Sequence, residues 1–130
     1  MSNYHFIIPI NLKPQPDKYE KVVAKLCAEK FQSDILFIKR GISTTPDIQI
    51  IKTKQFWEIK NIKGNGKNTI EDNLKRASKQ ADNVIISLLR SRMSTEQASA
   101  RIRYYLIRAR KNLRRVILIT KDCEFIDFKI

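Results

Sequence analysis

A chain of 130 residues fits one domain, 1–130, and is too short for two. Its 42% hydrophobic content is that of an ordinary globular protein, and no apolar run approaches the ~20 residues of a membrane-spanning helix, so membrane insertion is not expected. Twenty-six Lys and Arg against thirteen Asp and Glu leave a net charge of +13; such an excess asks for a polyanionic partner, because each neutralised phosphate releases condensed counterions.

Met1–His5 lacks the basic n-region and small-residue cleavage site of a signal peptide. Two cysteines, Cys27 and Cys123, make no disulfide framework, so a reducing, cytoplasmic setting is expected. Residues 4–12 can form a strand, which Lys13-Pro14-Gln15-Pro16 breaks. Asp17 then reads as an N-cap with Glu20 in the capping-box position. Tyr19, Val22, Val23, Leu26, Cys27 and Lys30 follow at helical spacing, predicting a helix to about Phe31 with Cys27 as a small core residue. Three strands come next, Asp34–Lys39, Asp47–Lys52 after the loop Gly41 to Pro46, and Phe56–Ile62.

The loop Lys63-Gly64-Asn65-Gly66-Lys67 leads to a second helix capped by Asn68, with Glu71 third and an apolar stripe of Ile70, Leu74, Ala77 and Ala81. Asn83–Leu89 reads as a buried strand. A third helix opens at Ser94-Thr95-Glu96-Gln97 and turns Ala98, Ile102, Leu106 and Ala109 inward. Arg115–Thr120 is a second continuous apolar strand, and Glu124–Ile130 returns as a hairpin. The order β, α, β-β-β, α, β, α, β-β predicts an α/β fold: a mixed sheet, antiparallel meander plus parallel strands, flanked by helices in a three-layer-like arrangement.

His5 is the sole histidine, which nearly excludes histidine acid–base or triad chemistry. Carboxylates are the alternative. A two-residue turn at Lys52-Thr53 would set Ile51 against Lys54 and Asp47 directly opposite Glu58, their Cβ atoms roughly 5 Å apart. Lys60, two residues on, would share that face. Paired carboxylates repel unless something positive lies between them, so a divalent cation is expected, Mg²⁺ first, with Mn²⁺ or Zn²⁺ as alternatives. Such a cation would polarise a scissile phosphate, and Lys60 could steady the attacking water. Glu20 could add a further carboxylate to the metal site, and Gln80 and Lys79, late on the second helix, could orient water or hold phosphate. Against this stand plain readings: Asp47 as a turn residue after proline, Glu20 as a cap and nothing more, Gln80 as a solvated helix residue. A one-residue slip in register would also dissolve the site.

Arg101, Arg103, Arg108, Arg110, Lys111, Arg114 and Arg115 fall in a stretch with nothing acidic between Glu96 and Asp122, a pattern suited to tracking phosphates. Tyr104 could stack on unpaired bases, whereas Tyr105 reads as core. Lys63 and Lys67 flank a glycine loop that is first a plain connector and second a contact for a nucleic-acid backbone.

Glu20, Pro46-Asp47 and Glu58-Ile59-Lys60 together resemble the PD-(D/E)XK nuclease superfamily, which implies a restriction-endonuclease-like core. A closer likeness spans residues 57–119, in Trp57-Glu58-Ile59-Lys60, Lys67-Asn68-Thr69-Ile70, Gln80, Asn83-Val84-Ile85-Ile86 and Arg115-Val116-Ile117-Leu118-Ile119. These segments are similar to the C-terminal toxin nuclease domains of bacterial contact-dependent growth-inhibition systems, some of which are tRNA nucleases. The resemblance implies a metal-dependent cut in RNA, delivery to the cytoplasm of a target cell, and neutralisation by an immunity protein, expected to be acidic. A DNA endonuclease or junction resolvase of a mobile element would use the same site and charge. A non-catalytic basic nucleic-acid-binding domain with structural carboxylates is the third reading.

Overall fold

The computed structural model describes residues 3–39, 45–109 and 113–129. Part of the Gly41-to-Pro46 loop, together with Arg110 and Lys111, therefore lies outside the described residues, as does the side chain of Ala109.

Helix α1 (Lys18–Phe31) starts where the sequence says it should. The Glu20 amide donates to Asp17 Oδ1 at 2.8 Å while the Asp17 amide donates to Glu20 Oε1 at 3.0 Å, so the capping box is closed in both directions. The helix buries Val23, Ala24, Cys27 and Ala28, and ends on Gln32 in the left-handed region, whose amide returns to the Ala28 carbonyl. Burial pushes the Cys27 thiol well above its usual range, as befits an inert core residue. Asp17→Ala should cost about 1 kcal/mol, the usual worth of an N-cap. The check is a urea titration, in which an unchanged midpoint would mean that the cap contributes nothing.

Seven strands form one sheet in sequence order: β1 (Phe6–Ile7), β2 (Ile35–Phe37), β3 (Ile48–Ile50), β4 (Gln55–Asn61), β5 (Asn83–Ser87), β6 (Arg115–Ile119) and β7 (Phe125–Lys129). Strands β2-β3-β4 are the expected antiparallel meander, β4-β5-β6 run parallel across α2 (Thr69–Ala77) and α3 (Thr95–Ala109), and β6-β7 close a hairpin. Residue parity sorts the core into two halves. Trp57, Ile59, Ile85 and Ile117 pack with α1, whereas Val84, Ile86, Val116 and Leu118 pack with Ile70 and Leu74 of α2 and Ile102 of α3. Both faces of β5 and β6 are covered, which is why those strands are apolar throughout. The result is three layers: α1, the sheet, then α2 with α3.

Some expected boundaries contract for visible reasons. The strand expected over 4–12 keeps only Phe6–Ile7, because Asn11 turns left-handed (φ 67°) and the Leu12 amide closes onto the Pro9 carbonyl at 3.2 Å. Asn68 does precede α2, but its side chain makes no capping bond. Its backbone (φ −105°, ψ 8°) lacks the extended form that aims a cap at the helix amides. Ser94 does cap α3, accepting from the Gln97 amide at 3.1 Å.

Candidate active site

The site grows from the β3-β4 ribbon. The ribbon does not use the expected two-residue turn. Residues 51–54 form a four-residue turn closed by the Lys54 amide on the Ile50 carbonyl at 2.8 Å, with Lys54 left-handed at φ 63°. The register survives this correction, since Ile50 pairs with Gln55 and Ile48 with Trp57, the alignment that a two-residue turn would also have given. Regular pairing stops there. The Asp47 amide donates to the Trp57 carbonyl at 3.1 Å, one residue out of step with the Ile48–Trp57 pair, a bulge-like shift at the strand end. The Asp47 side chain then takes the place of a strand partner: its Oδ2 accepts from the buried Ile59 amide at 2.8 Å.

Glu58 is 2% exposed and pairs with Val84, which places it on the face that looks toward α2 and α3. Its Oε2 lies 3.2 Å from Lys60 Nζ, the residue that alternation places on the same side. Its Oε1 is buried with no hydrogen-bond partner. Burial, and then the neighbouring Asp47 carboxylate, push Glu58 up to about 8, against the pull of the Lys60 ammonium. Glu58 therefore keeps its proton at neutral pH unless positive charge arrives. An orphaned buried oxygen beside a second carboxylate is a donor set that fits a small divalent cation, which would displace that proton.

The other expected members stand apart to different degrees. Glu20 lines a small recess with Asp47, Leu12 and Phe37, but it approaches from the α1 layer and spends Oε1 on its own cap. Among the described residues no group of three or more His, Cys, Asp and Glu side chains is gathered as a metal site, so the expected trio of Asp47, Glu58 and Glu20 is not assembled here. Glu20 meets Asp47 only at that recess, whereas Glu58 pairs with Val84 and projects from the face toward α2 and α3. Gln80, just past α2, donates to the Thr45 carbonyl at 3.5 Å and so borders the segment that carries Asp47.

The basic groups are spread over several elements. Lys63 and Lys67 are exposed on the loop after β4, and Lys79 is exposed beyond α2. Arg101 faces Glu71 at 3.8 Å, tying α3 to α2, and Arg108 lies over the Tyr104 ring and bonds its hydroxyl. Arg114 is exposed, 3.8 Å from Asp82. Arg115 departs from the phosphate-tracking expectation. Its guanidinium is engaged by Asp127 across the β6-β7 hairpin and lies over Trp57 and Phe31, so it works as a clamp within the fold. Tyr105 is buried and Tyr104 half exposed, as expected. The sequence reading gave Phe56 no role. It lies half exposed in a cleft of about 720 Å³ beside Gln80, Asn83 and Arg114, and an aromatic ring alternating with Glu58 was the available signal.

Fold and site together define a small mixed α/β domain with a buried, lysine-paired acidic pair at the end of a sheet ribbon. Residues 44–125 match the model of the contact-dependent growth inhibition CdiA C-terminal domain, and the chain belongs to that family of growth-inhibition domains. Among solved structures it is similar to a chain of the CdiA-CT/CdiI toxin and immunity complex from Burkholderia pseudomallei, with a TM-score of 0.66 at 20% identity over 97% of this chain and 99% of that one. That likeness establishes the fold. A comparison with curated proteins gives no match. Among the described residues no helix is long and apolar enough to cross a membrane.

Proposed function

We propose that this domain is the toxic part of a growth-inhibition system and acts as a metal-dependent endonuclease on structured RNA, tRNA foremost, in the cytoplasm of a target cell. The observation that carries the reading is the acidic pair. Burying Glu58 next to Asp47 costs stability that a purely structural strand would avoid, and Lys60 offsets only part of it. Such cost is common where chemistry needs it. On this reading Asp47 and Glu58 would hold a divalent cation, Mg²⁺ by preference, with Glu20 reaching in only if its cap opens. The cation would supply Lewis-acid activation of a phosphodiester. Lys60 would then neutralise charge developing on phosphorus or hold the attacking water, and Gln80 would steady the Asp47 segment.

The net charge of +13 supports a nucleic-acid substrate, and Lys63, Lys67, Lys79, Arg101, Arg108 and Arg114 are the proposed backbone contacts among the described residues. The PD-(D/E)XK assignment belongs to the same proposal, supported by the order of the acidic and basic residues along β3 and β4. An acidic immunity protein is the proposed protein partner, because a strongly basic toxin is most readily masked by opposite charge. The experiment is direct. Purified protein is incubated with tRNA, total RNA and plasmid, with Mg²⁺ or with EDTA. Cleavage of tRNA that EDTA abolishes is expected; binding with no cleavage of any substrate overturns the enzyme reading in favour of a non-catalytic binding domain, and cleavage of plasmid alone moves the substrate to DNA.

A further inference from the structure

The cleft of about 720 Å³ at the start of β4, β5 and β6 is outside the carboxylate site yet shares its scaffold. Its volume falls within the range of ordinary ligand pockets. Phe56 lines it and is 45% exposed, which leaves part of its side chain open to a ligand. Strand alternation sets Phe56 on the same side as Glu58, two residues or roughly 7 Å away along β4. Pro46, directly before Asp47, lines the cleft as well. Two residues with amide side chains share the lining. Asn83 is held in place by its Nδ2 donating to the Phe56 carbonyl at 3.2 Å, and Gln80 also lines the cleft, its Nε2 donating to the Thr45 carbonyl at 3.5 Å.

Charge completes the picture. Lys54 and Arg114 line the cleft as well, and the Arg114 side chain is 83% exposed, its ion pair among the described residues being with Asp82, itself exposed, at 3.8 Å. An exposed pair at that distance is weak, so the guanidinium can exchange it for a phosphate. An aromatic side chain, a half-buried glutamine that keeps an amide oxygen for a base edge, and two cations for its phosphate are the elements of a site for one unstacked nucleotide.

We infer that this cleft is a nucleotide subsite: it holds an unpaired base of the substrate on Phe56, with Arg114 and Lys54 on the adjoining phosphate, and so positions the neighbouring phosphodiester toward Asp47 and Glu58. The inference rests on the nuclease reading for that last clause only; the binding of a base stands by itself. An aromatic–base stack predicts about tenfold or more loss of affinity when the ring is removed.

The test measures fluorescence anisotropy of labelled tRNA and of a single-stranded oligonucleotide in EDTA, where no metal-dependent cleavage intervenes. Phe56→Ala should weaken binding about tenfold or more and Phe56→Tyr, which keeps a ring, should bind nearly as wild type. Arg114→Ala should weaken binding less and lower the salt slope by about one. Thermal melts confirm that the variants fold; should Phe56→Ala fail to do so, Phe56→Leu and Arg114→Ala carry the test. Wild-type affinity in the ring-less variants, equal losses with Phe56→Tyr, or no nucleic-acid binding by the wild type would overturn the subsite. If the cleft instead receives a protein partner, RNA affinity will not respond to Phe56, which is the same overturning result. Cleavage assays run in parallel keep the two proposals separate. Phe56-dependent binding without cleavage sinks the nuclease reading alone, and cleavage with Phe56-independent binding sinks the subsite alone.

Discussion

Asp47→Asn is expected to leave a folded protein that no longer cuts. Asparagine keeps an oxygen that can accept from the Ile59 amide, the 2.8 Å bond that finishes the ribbon, so the strand end should hold and the melting temperature should change little. What it loses is the negative charge beside Glu58, and with it half of the donor set for a cation. A loss of about 10²-fold or more in the rate of RNA cleavage is the scale for removing one electrostatic contact to a reacting phosphate. The structural reading of Asp47 predicts the reverse pattern, near-normal cleavage by Asp47→Asn and damage only from Asp47→Ala, which strands the Ile59 amide. Single-turnover cleavage with both variants, next to Lys60→Ala, distinguishes them. Full activity in Asp47→Asn would remove the residue from the catalytic site.

Stability that falls as pH rises is the second expected result. Glu58 stands near 8 in the folded chain against an ordinary value near 4.5, raised by burial and by Asp47. Below about 4.5 both states carry its proton and stability is full. Between there and about 8 the unfolded chain releases the proton while the folded chain retains it, so stability declines across that window and levels off above it. The loss should be on the order of a few kcal/mol. Glu58→Gln should flatten this profile and be more stable than the wild type at pH 8, despite losing the contact with Lys60. Mg²⁺ should restore stability to the wild type at that pH, because it binds the folded, deprotonated pair, and should do nothing for Glu58→Gln. Urea titrations across pH 4.5–8.5, with and without Mg²⁺, measure all of this. A wild type equally stable at both ends and indifferent to the metal would show that Glu58 titrates normally.

The carboxylate pair also marks how local information becomes a site. Helix α1 was legible because its signals are local: an Asp17–Glu20 box three residues apart and an apolar stripe within one element. The parallel strands were legible because strands buried on both faces need continuous apolar runs, and 84–86 and 116–119 supply them. Register was reached by a partly mistaken route. The turn over 51–54 has four residues, not two, and it preserved the pairing because both turns keep Ile50 opposite Gln55.

What the sequence determined by itself was therefore the order of elements, their type, and the fact that Asp47, Glu58 and Lys60 belong to one ribbon. Periodicity and pairing arithmetic act over a few residues, and they suffice for that much. Only the tertiary structure decided the rest. It turned the Asp47 carboxylate onto the Ile59 amide through an out-of-step bond at the strand end, and committed Glu20 Oε1 to its own cap. It also committed Arg115 to Asp127 and the Trp57 ring, and opened a cleft beside Phe56. Each of these depends on which layer an element packs into and on where a ladder ends. Those are set by contacts between residues far apart in the chain, and no spacing along the sequence encodes them.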